Sequence, residues 1–106
     1  MAKYRDRLQI VADILAIASS GAKKTRIMYQ ANLSYRLLCR YLGEVMDAGL
    51  VGCDDGGLYV LTSKGKDFLS KYGEYSKRRE RLKVHLNYVD NEKTMLEQMC
   101  SNASVR

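Results

Sequence analysis

Arg36 and Arg40 stand four residues apart, so on a helix they project from one face, one turn above the other. Guanidinium groups so placed can donate bidentately to guanine O6 and N7, or to phosphate oxygens. Cys39 and Gly43 fall in the same arc, and Ser34 and Tyr35 come just before it. The Ser34 hydroxyl is placed to cap the helix, whose N-terminal end favours phosphate. Tyr35 divides evenly between a phosphate or base contact and local packing. Cys39 is read as a small neutral filler, since a reactive thiol requires a lowered pKa. Gly43 has no side chain and would let a DNA backbone or groove wall approach. Upstream, Lys23, Lys24 and Arg26 offer supplementary phosphate donors or a solvated basic surface. Catalytic arrangements are missing from the sequence: no phosphate loop, His–carboxylate pairing, metal-spaced cluster or nucleophile motif occurs. The chain is therefore read as a non-enzyme without cofactor or metal.

Helical periodicity and turn residues define the elements that must position these groups. Leu8, Val11, Ile14, Leu15 and Ala18 repeat at helical spacing and predict a helix from about Lys3 to Ala18, stopped by Ser19-Ser20-Gly21. A short helix from about Thr25 to Ala31 would bury Ile27, Met28 and Ala31. Asn32 and Leu33 form a corner. A third helix opens at Ser34 and runs to Ala48, with Leu37, Leu38, Tyr41, Leu42, Val45 and Met46 as its core half and Asp47 at the far end of the opposite arc. Gly49 ends it. Leu50–Cys53 and Leu58–Leu61 are short strands flanking Asp54-Asp55-Gly56-Gly57, a tight-turn signal. The whole is mainly α with a small β wing: a winged helix-turn-helix. The wing tip is acidic and would be repelled by phosphate. A second reading thus stays open, a winged-helix adaptor that binds protein instead of DNA.

Thr62 or Ser63 caps a last helix predicted to reach about Cys100. Along it Phe68, Tyr72, Tyr75, Arg79, Leu82, Leu86, Val89, Lys93, Leu96 and Cys100 follow alternating steps of four and three. That heptad pattern predicts a coiled coil, and an apolar stripe of this length requires a partner. A parallel pair would set Arg79 on Arg79 and Lys93 on Lys93. An antiparallel homodimer avoids both, placing Leu82 against Leu86, Arg79 against Val89 and Lys93 over Tyr75. Gly73 is the weak point of this helix and a candidate kink. The run Lys77-Arg78-Arg79, with Arg81 and Lys83, is solvated surface or an additional phosphate contact. His85 falls off the seam. The expected organisation is a DNA-binding domain over residues 1–66 and a dimerisation helix over residues 67–106.

Composition narrows the class. Eighteen Lys and Arg against twelve Asp and Glu give a formal charge of +6 and a pI near 9.3, favouring a polyanionic partner. No apolar run approaches a membrane span, and Lys3, Arg5, Asp6 and Arg7 leave no room for a secretory h-region. Cys39, Cys53 and Cys100, odd in number and without a CxxC, fit reduced thiols. The expectation is a cytoplasmic, nucleoid-associated chain with no membrane partner and no evident small-molecule ligand.

The run Lys24-Thr25-Arg26-Ile27-Met28-Tyr29, followed by Ala31-Asn32-Leu33-Ser34-Tyr35 and Arg40-Tyr41, resembles small archaeal winged-helix proteins. Asp47-Ala48-Gly49-Leu50 and Tyr59-Val60-Leu61-Thr62-Ser63-Lys64-Gly65 fit the same pattern. The resemblance covers roughly residues 4–100 and is nearest to the dimeric archaeal chromatin proteins that join a winged helix to an antiparallel coiled coil. It implies sequence-tolerant binding of duplex DNA through the helix opening at Ser34, by a homodimer. The acidic wing tip and Gly43 depart from that pattern. Chromatin packaging and gene-specific regulation are not distinguished by the residues.

Overall fold

The computed structural model describes residues 5–103. Helix α1 spans Arg7–Ala18, α2 Lys24–Gln30 and α3 Tyr35–Asp47; strands β1 (Val51–Cys53) and β2 (Tyr59–Leu61) form the wing, and α4 runs from Ser63 to Ala103. The predicted start of the first helix at Lys3 lies outside the described residues. What opens α1 is Asp6: its carboxylate accepts from Gln9 N at 2.9 Å while the Gln9 side chain accepts from Asp6 N, a reciprocal capping box.

Both exits around the helix-turn-helix follow from left-handed residues. At the end of α2, Asn32 adopts φ 56°, its N–H donates to Tyr29 O, and Leu33 N donates to Met28 O at 3.0 Å. Gly49 (φ 76°) repeats the pattern after α3, with Gly49 N donating to Met46 O and Leu50 N to Val45 O. These paired bonds are Schellman motifs; each satisfies carbonyls that a helix end leaves open and turns the chain sharply. Leu33 and Leu50, the residues just past each turn, are buried, which fastens the corners to the core.

The core brings together Val11, Ile14, Leu15, Ala22, Ile27, Leu38, Leu42, Val45 and Val51, with Phe68 and Leu69 of α4 packed against it. Two expected core positions, Leu37 and Met46, differ, as does Leu8 on the periodic face of α1. Leu8 is 41% exposed, Leu37 38% and Met46 41%. Periodicity assigns a direction to each side chain, but so small a body covers only the centre of the apolar faces of α1 and α3. Cys39, placed by periodicity in the solvent arc, is half-buried.

β1 and β2 pair antiparallel, with Val51 opposite Leu61 and Cys53 opposite Tyr59. Ala22 adds one rung: its N–H donates to Tyr59 O at 3.1 Å and its carbonyl accepts from Tyr59 N at 2.8 Å. At the tip, Asp54 turns its carboxylate onto the loop, where Oδ1 accepts from Gly56 N and Leu58 N at 2.9 Å each. Half of the acidic tip thus serves the turn itself.

Thr62 joins the wing to α4. Its N–H donates to Leu50 O, its hydroxyl donates to Gly49 O at 2.6 Å, and the same oxygen accepts from Gly65 N at 3.0 Å. Gly65 is buried, and the position takes glycine because a Cβ would collide with the Leu50 carbonyl oxygen and lie 3.1 Å from Leu61 Cδ2. The chain forms two compact units, Met1–Tyr72 and Gly73–Arg106, and α4 is assigned as helix without a break through Gly73. Beyond Tyr72, the α4 side chains through Ser101 are half-buried at most: Leu82, Leu86, Val89 and Leu96 all face solvent in the single chain.

Candidate nucleic-acid interface

The N-terminal half of α3 is held from both ends. Ser34 Oγ accepts from Leu37 N at 3.2 Å, capping the first turn, and buried Leu38, Leu42 and Val45 anchor the opposite face. Arg5 secures the corner before it, with Nη2 donating to Ala31 O at 2.8 Å and Nη1 paired with Asp13 at 2.6 Å. Arg5 therefore ties the N-terminal segment to the helix-turn-helix corner, a tertiary contact with no periodic signature in the sequence. At the far end of α3, Lys64 Nζ donates to Ala48 O at 2.7 Å.

Arg36 and Arg40 emerge on the exposed face so defined. They are not equivalent. Among the described residues Arg36 has no ion-pair partner, whereas Arg40 Nε lies 3.7 Å from Glu44 Oε2. Glu44 also takes two donations from Arg7 of α1, Nε at 3.2 Å and Nη2 at 3.1 Å. One carboxylate thus sits between guanidinium groups from two helices. Glu44 went unrecognised in the sequence because the Arg7 contact spans 37 residues.

Tyr35 and Lys24 are brought together from α3 and α2. Lys24 Nζ donates to Tyr35 Oη at 3.2 Å and lies 4.9 Å from the ring centroid, a cation–π arrangement. The hydrogen bond to Tyr35 raises the Lys24 pKa above the ordinary lysine value. The ring itself is 61% exposed, so local packing does not consume it. Lys23 and Arg26 are exposed at the start of α2, and Gly43 opens one turn beyond Arg40 with nothing within 4 Å of a Cβ. Tyr29, 76% exposed on α2, is an aromatic hydroxyl beside this basic surface that periodicity alone did not single out. Among the described residues, no group of His, Cys, Asp and Glu is arranged to hold a metal ion, and no helix is long and apolar enough to cross a membrane.

Three helices, a capped third helix presenting cations and a two-stranded wing define a winged helix-turn-helix protein. A family model described as winged helix-turn-helix matches residues 4–80, and the chain belongs to that family. An uncharacterized protein of Methanocaldococcus jannaschii is 39% identical over 71 residues, 66% of this chain; the chain spans about a third (33%) of that relative's length. The crystal structure of Sso10a-2, a DNA-binding protein from Sulfolobus solfataricus, is similar with a TM-score of 0.73 at 26% identity, covering 82% of this chain and 95% of that one. The multiple antibiotic-resistance repressor MarR from Listeria monocytogenes shares the fold, with a TM-score of 0.60 at 15% identity over 89% of this chain and 69% of its own. The resemblance to archaeal winged-helix proteins carried by residues 24–65 is thus matched by family, by an archaeal relative and by an archaeal structure.

Proposed function

We propose that this chain is a homodimeric, sequence-tolerant duplex-DNA-binding protein of the cytoplasmic nucleoid, architectural or regulatory in role, acting by binding without catalysis. The observation that carries it is the capped α3 presenting Arg36 and Arg40 from its exposed arc, beside the Lys24–Tyr35 pair. The description of Sso10a-2 as a DNA-binding protein supports the same reading. In this mode α3 enters the major groove, its N-terminal end and the Lys23, Lys24 and Arg26 side chains meet phosphates, and Ser34, Tyr35, Cys39 and Gly43 line the approach. Residues 1–66 carry DNA binding and residues 67–106 dimerisation, with Phe68 and Leu69 anchoring the second segment on the first.

The dimer is an antiparallel coiled coil through Tyr72, Tyr75, Arg79, Leu82, Leu86, Val89, Lys93, Leu96 and Cys100. Its support is the heptad spacing together with the exposure of Leu82, Leu86, Val89 and Leu96 in the single chain. The adaptor reading retains one observation, the exposed Asp55 at the wing tip. Retention on nonspecific duplex DNA across a salt series decides between them: the DNA reading expects binding that weakens linearly in log salt, and no binding at low salt refutes it. A genome-wide occupancy profile separates packaging, with broad coverage, from regulation, with a few sharp peaks.

A further inference from the structure

Between Lys77 and His85, helix α4 concentrates charge of one sign. Lys77, Arg78, Arg79, Arg81 and Lys83 are opposed there only by Glu80. Lys77 and Arg81 stand at i and i+4, and Arg78 lies three residues before Arg81. Like charges at these spacings repel and weaken a helix. Within the strip Arg78 is answered from its N-terminal side by Glu74 at 3.7 Å, as Lys71 is by Asp67 at 3.2 Å, both at i, i+4. Among the described residues, Lys77 and Arg81 have no ion-pair partner. Tyr88, 70% exposed, continues the same arc.

The arc is clear of the seam. At 100° per residue, Lys77 lies about 160° and Arg81 about 120° around the helix from the centre of the Leu82–Leu86 stripe, while Lys83 lies about 80° around in the opposite direction. In an antiparallel dimer with its dyad near residue 84, Arg78 and Arg81 of both protomers share one face across the two-fold axis, and each Lys77 stands at the outer edge of that face. From Arg78 of one protomer to Arg78 of its partner the strip then measures about 20 Å at 1.5 Å per residue. Glu74 and Glu92 close it at the ends. A basic strip of that length matches about six base pairs of one DNA strand, at about 3.4 Å per phosphate along the axis.

We infer that this strip is a second binding surface for the phosphate backbone of duplex DNA, separate from α3. The inference rests on the DNA-binding dimer proposed above. It is tested on the full-length protein by acetylating lysines with and without a nonspecific duplex and reading each site by mass spectrometry. Lys77 should be protected severalfold, while Lys83 and Lys93 serve as internal controls and should react equally in both samples. In parallel, Lys77→Gln with Arg81→Gln should lower the salt slope by about 1.8 and weaken binding about tenfold or more near 0.1 M salt, with the dimer intact by sedimentation. Unchanged Lys77 reactivity, or a variant that binds with the parent's slope, overturns the strip; if Arg36→Ala with Arg40→Ala still weakens binding about tenfold or more, the α3 reading survives. A parent that binds no duplex overturns both, and capture of an acidic protein by the strip in place of duplex overturns this inference.

Discussion

Replacing Arg36 and Arg40 by alanine, singly and together, tests the interface at the level of individual charges. Each cation that neutralises a phosphate contributes about 0.9 to the salt slope, equivalent to roughly eightfold in affinity between 1 M and 0.1 M salt. Two full contacts therefore predict a slope lower by about 1.8 and a loss of up to about 60-fold near 0.1 M, with about tenfold as the floor if each contact is shared. The two residues should not contribute equally. Arg36 is unpaired among the described residues, while Arg40 faces Glu44 at 3.7 Å, so the field that Arg40 presents to DNA is partly cancelled. Arg40→Ala should cost less than Arg36→Ala. Glu44→Gln should strengthen binding, because it frees Arg40 and Arg7 together. The exposed i, i+4 pair stabilises the helix by only about 0.3–0.5 kcal/mol, so these variants should remain folded. The assay is fluorescence anisotropy on a nonspecific duplex over a salt series, with circular dichroism as the folding control. A folded double variant that binds like the parent, or one weakened without any change of slope, would refute the charge argument.

Leu86→Asp places a carboxylate in the middle of an apolar seam, so sedimentation equilibrium should show a monomer, with the winged helix intact and DNA binding reduced through lost bivalency; an intact dimer removes the seam. Spin labels at Ser76 on both protomers should lie on the order of 20 Å or more apart in an antiparallel coil, since residue 76 is eight residues from the dyad at 1.5 Å each. A short distance overturns the orientation. Gly65→Ala should lower stability by roughly 1–3 kcal/mol, because the added Cβ meets the Leu50 carbonyl and Leu61. Gly73→Ala, with nothing within 4 Å of its Cβ, should raise it by up to about 1 kcal/mol. Thermal unfolding followed by circular dichroism checks both, at about 4–8 °C per kcal/mol.

What could be read in the residues was what repeats or what turns. Ser34 as a cap, Asn32-Leu33 as a corner and Asp54–Gly57 as a hairpin tip are local signals, and the structure carries each one. The Asp6–Gln9 capping box is an equally local signal, three residues apart at the opening of α1. Other features are set by tertiary geometry. The Ala22–Tyr59 rung is one residue long and has no period to detect. Arg5 reaches Ala31 across 26 residues, and Arg7 reaches Glu44 across 37, so neither contact follows from spacing. Leu8, Leu37 and Met46 show the limit of a helical wheel: it gives the side a residue faces but not whether a neighbour is there to cover it.

In the proposed dimer, the solvent-facing leucines of α4 would tie this chain's behaviour to its own abundance. A helix that buries its apolar stripe only against a partner would draw part of its stability from association. For a homodimer the apparent stability rises with concentration by mass action, and the melting midpoint moves with it. Well below the dissociation constant of the pair, doubling the number of chains raises the dimer roughly fourfold. DNA occupancy by a two-headed species would then respond to protein level more steeply than in proportion, giving the cell a sensitivity to expression that requires no small-molecule signal.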